Sequence, residues 1–240
     1  SADGEYIAAG SNVGVGEGES QGYLFDKDSS TPLWNYSTGG VHSVAISADG
    51  EYIAAGSADN KVYLFDRDGI ELWTNTTGEG VRSLAISADG EYIVAGSYDK
   101  KIYLFNKDSK TPLWNYTTES TVWSVAISAD GGYIIASSSE HVYLSDKDGT
   151  GLWSYTTGDS VRTVAISTDG EYVAVGSRDN KVYLFDKTVP VSVEEDDTSE
   201  VDSEGGDSKS SDDDDSNEIT WYQVEIVIVA ILAGLFYLRR

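Results

Sequence analysis

SADGEYIAAGS at residues 47–57 decides the fold, because the chain contains this stretch five times with small changes. The other copies are SADGEYIAAGS at 1–11, SADGEYIVAGS at 87–97, SADGGYIIASS at 128–138 and STDGEYVAVGS at 167–177. Their turn aspartates follow one another at 46, 40, 41 and 39 residues: Asp3, Asp49, Asp89, Asp130 and Asp169. Self-similarity with a period near 40 residues is typical of a propeller built from four-stranded blades.

Each repeat contains four short apolar segments with a side-chain period of two, which predicts β-strands. Segment a (VRSLAIS from Val81) precedes an Asp-Gly hairpin turn, segment b (EYIVAGS) follows it, segment c is IYLFN at 102–106, and segment d contains Leu113-Trp114. One tryptophan per repeat is predicted to pack between blades: Trp34, Trp73, Trp114 and Trp153. Five b, five c, four a and four d segments predict an all-β propeller at residues 1–187, with three complete four-stranded blades and two partial ones.

The stretch VRSLAISADGEYIVAGSYDKKIYLF, from Val81, resembles the repeat of WD-repeat propellers. That family has a Ser-Pro-Asp-Gly turn, a small-residue strand, and a later aromatic-Asp pair. Here Ala replaces the turn proline, Phe-Asp, Phe-Asn or Ser-Asp replaces Trp-Asp, and the Gly-His pair before segment a is absent. The segments DGIELWTNTTG (68–78) and DGTGLWSYTTG (148–158) are closer to the PQQ-type, quinoprotein-like repeat. The resemblance implies the same architecture in both cases.

The sequence contains no methionine and opens within a repeat, so we expect an amino-terminally truncated fragment. In WD-repeat propellers the last blade is closed by a d strand from the amino terminus of the chain. The resemblance therefore implies that upstream sequence supplies that strand here.

The carboxyl-terminal part has a different composition. Residues 188–218 are predicted to be a disordered acidic stalk, because residues 194–218 hold 13 acidic residues and one lysine. The apolar segment from Ile219 to Leu238 is long enough for a single membrane-spanning helix, with residues 239–240 as a short cytoplasmic end. The terminal arginines then place the propeller outside the cell membrane. A sorting signal that is cleaved off is the alternative.

Charge and cysteine content exclude several function classes. The net charge of −25 repels phosphates, so nucleic-acid binding is not expected. The absence of cysteine excludes disulfides, thiolate zinc sites and cysteine nucleophiles. Neither histidine stands at a recognisable catalytic or metal-binding spacing, so we predict no enzyme activity, no cofactor and no metal, and we expect no basic, aromatic-capped pocket of the kind that pyrroloquinoline quinone needs.

The second residue of segment a differs between repeats that otherwise agree, being His42, Arg82, Trp123 and Arg162. In the families that this chain resembles, segment a starts at the upper mouth of the central channel, where partners bind. The resemblance thus implies a partner-binding ring, joined by Tyr98 and Arg178 from the b–c loops, although solvent-facing positions would vary in the same way. Asp59, Asp99 and Asp179 in those loops are interpreted as turn formers, and the longer first loop, Asn12 to Gly22, as an insertion over the binding face.

Asn35 and Asn115 begin candidate glycosylation sequons one residue after a tryptophan, whereas Asn75 comes two residues after one. We therefore predict Asn35 and Asn115 as glycosylation sites. The functional prediction is a surface-anchored, extracytoplasmic propeller that binds a protein or glycan partner. The alternatives are an accessory or sensor propeller of a larger enzyme, including a PQQ-type dehydrogenase, and a structural surface-layer component.

Overall fold

The computed structural model describes residues 1–13 and 19–188, and the predicted stalk and membrane helix lie outside this part of the chain apart from residue 188. Every regular element in these residues is a β-strand. Across the same ranges, no helix is long and apolar enough to cross a membrane.

Within residues 1–13 and 19–188, eighteen strands form five antiparallel sheets that follow one another in sequence, three with four strands and two with three. Blade 1 comprises β1 (Tyr6–Gly10), β2 (Ser20–Asp26) and β3 (Trp34–Thr38). Blade 2 comprises β4 (Val41–Ile46), β5 (Tyr52–Ser57), β6 (Lys61–Asp66) and β7 (Glu71–Thr76). Blade 3 comprises β8 (Val81–Ile86), β9 (Tyr92–Ser97), β10 (Lys101–Asn106) and β11 (Trp114–Thr117). Blade 4 comprises β12 (Val122–Ile127), β13 (Tyr133–Ser138), β14 (His141–Asp146) and β15 (Gly151–Thr156), and blade 5 comprises β16 (Val161–Ile166), β17 (Tyr172–Ser177) and β18 (Val182–Asp186).

The predicted architecture of three complete and two partial blades is confirmed, and the four strands of each complete blade are the segments a, b, c and d in order. One boundary differs from the prediction. Strand β2 begins at Ser20, since Gln21 and Gly22 already pair with β3. The insertion in the first repeat is therefore shorter than the predicted loop from Asn12 to Gly22, and residues 14–18 within it are outside the described part.

Backbone hydrogen bonds join the turns between strands a and b of successive blades. The Ala48 amide donates to the Ala88 carbonyl at 2.9 Å, Ala88 donates to Ala129 at 2.9 Å, and Ala129 donates to Thr168 at 3.1 Å. Because the same turn recurs at the same height in each blade, one donor and one acceptor per turn connect neighbouring blades.

The tryptophans of segment d link blades as predicted, and each indole N–H finds a carbonyl of the next blade. Trp34 donates to Arg67 at 2.8 Å, Trp73 to Lys107 at 2.7 Å, Trp114 to Lys147 at 2.9 Å, and Trp153 to Lys187 at 3.0 Å. The ring thus packs between two sheets while its one polar atom is satisfied.

Small residues in segment b allow the blades to approach closely. A Cβ atom on Gly96 would lie 2.4 Å from Val122 Cγ1 of the next blade, and one on Gly56 would lie 2.6 Å from Val81 Cγ1. The spacing between blades therefore favours the smallest residues at this position, which is glycine in blades 2 and 3 and Ser137 in blade 4.

Candidate functional site

The candidate ring residues occupy a β-bulge in each blade that has a strand a. In blade 3, Val81 pairs with Ser97 and Ser83 pairs with Gly96, so Arg82 is the additional residue between two regular pairs. The same shift places His42, Trp123 and Arg162 in bulges. A bulge changes the direction of a side chain relative to the regular pleat, and bulges are frequent beside functional sites.

The start of strand a and the end of strand b meet at one end of each blade because these strands are antiparallel. The turn after strand b consequently lies beside the bulge: the Tyr98 amide donates to the Gly80 carbonyl at 2.9 Å, and the Arg178 amide donates to Ser160 at 3.0 Å. This topology brings the ring residues and the two loop residues to the same end of the molecule.

Their side chains form a continuous series of contacts around Trp123. The His42 and Tyr98 rings meet edge-on with centroids 6.0 Å apart, and Tyr98 meets Trp123 in the same way at 6.3 Å. The guanidinium carbon of Arg162 lies 4.3 Å from the Trp123 ring centroid, and that of Arg82 lies 5.8 Å from it. We call His42, Arg82, Tyr98, Trp123, Arg162 and Arg178 the arginine–aromatic cluster.

Arg162 is the most confined cation of the arginine–aromatic cluster. Burial lowers the pKa of its guanidinium, and the neighbouring charges of Arg178 and Arg82 lower it further, while Asp159 acts in the opposite direction. Its Nε atom is buried and makes no hydrogen bond to the described residues. Like charges held together in this way favour an anion between them, and arginine stays charged at neutral pH because its ordinary pKa is so high.

His42 also contacts the neighbouring blade, since its Nδ1 lies 3.2 Å from the Val81 carbonyl oxygen. Since Val81 directly precedes Arg82, this contact connects His42 of blade 2 with the bulge of blade 3. The arginine–aromatic cluster therefore spans four blades, because its members lie in or directly after strands of blades 2, 3, 4 and 5.

The loop aspartates are part of the framework that supports this end of the blades. The Tyr103 hydroxyl donates to Asp99 Oδ2 at 2.6 Å, and the Gly78 amide donates to the same oxygen at 2.7 Å. Asp59 with Tyr63, and Asp179 with Tyr183, repeat the arrangement. The residue after each aspartate has a positive φ of 66–71°, as a tight turn requires: Asn60, Lys100 and Asn180.

A set of serine hydroxyls that the sequence argument missed joins the innermost strands. Ser43 Oγ accepts from the Leu84 amide at 3.1 Å, Ser83 Oγ accepts from Val125 at 3.2 Å, and Ser124 Oγ accepts from Val164 at 3.2 Å. Each serine directly follows a bulge residue. A signal was present in the sequence, because the third residue of segment a is Ser in three repeats and Thr in the fourth.

The other candidate residues lie away from the arginine–aromatic cluster. Asn35 and Asn115 are exposed on the outer strands of blades 1 and 3, and their glycosylation remains a prediction. The Asn75 side-chain amide donates to the Lys110 carbonyl of the next blade at 2.9 Å, so its nitrogen has a structural partner.

Two family models match the sequence of the chain. One is described as outer membrane protein assembly factor BamB, is of the PQQ type, and matches residues 58–189, which is more than half of the chain. The chain belongs to this PQQ-type repeat family. The model for the WD domain, G-beta repeat, matches residues 30–66, so the mixed resemblance noted in the repeats is confirmed. No curated protein matches the chain.

Because the repeats are of the PQQ type, the residues of the cluster can be compared with what bound pyrroloquinoline quinone needs. The cluster does bring basic and aromatic groups of different blades together, because the bulges direct Arg82, Trp123 and Arg162 toward one another and the b–c turns add Tyr98 and Arg178 beside them. The carboxylates of pyrroloquinoline quinone would match these guanidinium groups. The divalent cation that accompanies such a quinone has no counterpart in residues 1–13 and 19–188, where no group of three or more His, Asp or Glu is placed to hold a metal. The donor set thus fits an anion beside an aromatic surface and does not fit a metal-linked quinone.

Proposed function

We propose that this PQQ-type repeat protein is a non-enzymatic binding propeller whose arginine–aromatic cluster takes an acidic segment of a protein partner. The observation that carries the proposal is the stacking of Arg162 and Arg82 around Trp123, with Arg178 and Tyr98 alongside. Repeats of the two matched families mediate protein–protein contacts in general, which supports a protein partner.

The charge balance of the chain makes this cluster distinctive. The whole chain carries a net charge of −25, so a group of three arginines is a local exception on an acidic molecule. Guanidinium groups bind carboxylates through two parallel hydrogen bonds, and stacking on an indole holds the planar group in place for that purpose. The surrounding acidic surface would repel anions that lack a good fit, which favours selective binding.

The cellular setting is also a proposal, supported by the sequence alone. We infer that the acidic stalk at 188–218 holds the propeller away from a membrane and that the helix from Ile219 to Leu238 anchors it, with the propeller outside the cell. Protease treatment of intact cells should release the propeller, and mass spectrometry of the membrane-extracted chain should recover residues after 218. Loss of those residues from the mature protein would instead indicate a cleaved sorting signal.

Binding can be tested with a labelled hexaglutamate peptide titrated into the full chain, with fluorescence anisotropy as the readout. We expect Arg162→Gln and Arg82→Gln each to weaken binding by about tenfold, which corresponds to 1.4 kcal/mol and is typical of one charge-assisted hydrogen bond. Binding should also weaken with added salt. The matched control is Lys27→Gln, which removes the same charge from an exposed turn between strands c and d at the opposite end of blade 1.

If the control and the cluster variants lose the same affinity for the peptide, the binding depends on net charge alone and not on the cluster. Unchanged affinity in both arginine variants would contradict the proposed site. A uronic acid oligomer, titrated in parallel, separates an acidic glycan from an acidic peptide. Quinone absorbance in the purified chain would favour the dehydrogenase alternative.

A further inference from the structure

Blade 4 departs from the other blades at one core position. The third residue of YLFD or its equivalent in strand c is phenylalanine in four blades: Phe25, Phe65, Phe105 and Phe185. In blade 4 the sequence is VYLSD, and Ser145 occupies this place. Ser145 faces the junction between blades 3 and 4, where it lines a cavity together with Trp114.

At three other junctions the phenyl ring fills the wedge between two sheets. The distance between ring centroids is 5.4 Å for Trp34 and Phe65, 5.3 Å for Trp73 and Phe105, and 5.3 Å for Trp153 and Phe185. A tyrosine two residues after the tryptophan joins them in two cases, with Tyr36 4.8 Å from Phe65 and Tyr155 4.9 Å from Phe185. Each of these junctions thus places a phenyl ring against the tryptophan of the preceding blade, and two of them add a tyrosine ring of that blade.

The junction between blades 3 and 4 keeps the enclosing rings without the phenyl ring. Trp114 is held in the usual place by its bond to the Lys147 carbonyl at 2.9 Å, and Tyr116 and Tyr143 face each other at 5.8 Å. Between them is a cavity of about 280 Å³ whose lining includes Trp114, Tyr116, Tyr143, Ser145 and Gly151.

A second replacement opens the same cavity at its rim. Ser145 pairs with Gly151 as Phe65 pairs with Glu71 in blade 2, and there the Glu71 carboxylate accepts a hydrogen bond from Tyr36 at 2.6 Å. A Cβ atom placed on Gly151 would meet no heavy atom within 4 Å. Blade 4 therefore lacks both side chains that fill and cover the wedge in blade 2.

The tyrosines at this junction are correspondingly more exposed than their equivalents. Tyr116 is 51% exposed, whereas Tyr36 and Tyr155 are half-buried. Tyr143 is half-buried, whereas Tyr63, Tyr103 and Tyr183 are buried. An open pocket that two tyrosine rings and an indole ring line is thus accessible from the outer side of the blades.

We propose that this pocket, lined by Trp114, Tyr116, Tyr143 and Ser145, binds a phenylalanine side chain presented by a partner peptide. The occupant is indicated by the molecule itself, because a phenyl ring fills the equivalent wedge at the three other junctions. The volume is sufficient, since an apolar cavity of about 150 Å³ already binds benzene. The tilted ring contacts at the filled junctions are the geometry that aromatic groups prefer. This site is separate from the arginine–aromatic cluster and does not depend on the function proposed for it.

The test uses the full chain and N-acetyl-phenylalaninamide as the probe, with saturation-transfer NMR detected on the phenyl protons. N-acetyl-leucinamide is the ligand control. We expect the phenyl probe to bind more tightly than the leucine probe, and Ser145→Phe to abolish that binding because the new ring fills the wedge. Ser30→Phe, in an exposed turn of blade 1, is the matched control variant and should bind the probe as the parent chain does.

Gly151→Glu provides a second test if Ser145→Phe does not fold, because its side chain enters open space at the rim and recreates the blade 2 arrangement with Tyr116. We expect it to weaken binding of the phenyl probe. Absence of phenyl binding to the parent chain would overturn the proposal. Equal binding of the two probes, or binding that Ser145→Phe and Gly151→Glu leave unchanged, would overturn it as well.

Discussion

Gly96 illustrates how single atoms set the distance between blades. A methyl group at this position would overlap Val122 of the next blade, with its Cβ 2.4 Å from Val122 Cγ1 and 3.0 Å from Val125 Cγ1. The sequence indicated a narrowing blade from the run of small residues, but the partner atoms that impose the limit come from the following repeat. They could not be identified without the geometry of the junction.

Gly96→Ala is expected to lower the free energy of unfolding by about 1–3 kcal/mol, because the added methyl overpacks a buried contact between strands. Gly22→Ala is the control, since a Cβ there meets nothing within 4 Å, and we expect a change below about 1 kcal/mol. Urea unfolding of both variants measures the difference. Equal effects would mean that backbone freedom, and not the contact with Val122, explains the glycine.

The Tyr183 hydroxyl makes the free energy of unfolding depend on pH in the alkaline range. Burial and the hydrogen bond to the Asp179 carboxylate, 2.6 Å long, raise the pKa of Tyr183 to about 12 from its ordinary 10.0. The folded chain therefore keeps this proton at pH values where the unfolded chain releases it. Its contribution is complete below pH 10 and is lost as the pH rises from 10 through 12.

Tyr183→Phe should accordingly lower the free energy of unfolding at neutral pH by about 1.5–3 kcal/mol, the usual range for a hydrogen bond to a charged group. The difference from the parent chain should shrink between pH 10 and 12. Urea unfolding across that range is the measurement, with Tyr172→Phe, which removes an exposed phenol, as the control. A difference that stays constant over this range would show that the hydroxyl contributes no pH dependence.

Among the strands, the pairing and order could be predicted, and the bulges could not. Period-two alternation and the Asp-Gly turns gave the four segments of each blade, and the spacing of the tryptophans gave their contact with the next blade. The bulge in β8 depends on Val81 and Ser83 pairing with successive residues of β9, which no local pattern in the segment VRSLAIS marks. The prediction that Arg82 and its equivalents belong together rested on their variation between repeats, and the bulge supplies the physical reason.

The junctions between blades depend on a phenyl ring that fills the space between neighbouring sheets. Phe105 on β10 fills the wedge beside Trp73, so Phe105→Ser should create at the junction of blades 2 and 3 the cavity seen at the next junction. We expect a loss of about 3–5 kcal/mol in the free energy of unfolding, the range for removal of a buried phenyl ring. Ser145→Phe should change stability in the opposite direction. Calorimetry of the two variants is the measurement. An unchanged free energy of unfolding in Phe105→Ser would contradict the role of the phenyl ring in filling the junction.

For the molecule as a whole, the repeated architecture predicts that stability varies along the chain, since each blade contacts mainly its neighbours. Strand β9 in blade 3 has five buried residues in succession, whereas β1 in blade 1 has none and β18 in blade 5 alternates between exposed and buried residues. The hydrogen bonds that connect turns, tryptophans and inner serines join every central blade to two neighbours. Blades 1 and 5 each lack one strand in the described part and therefore have fewer such partners.

Hydrogen exchange measured by mass spectrometry on the full chain should therefore show a gradient. We expect the amides of residues 92–97 in blade 3 to exchange slowest, because they open only when the central blades unfold. Residues 6–10 and 182–186 should exchange faster, through local opening of the outer blades. Uniform protection across all five blades would contradict this expectation and would mean that the contacts between blades are strong enough to make the propeller unfold as one cooperative unit.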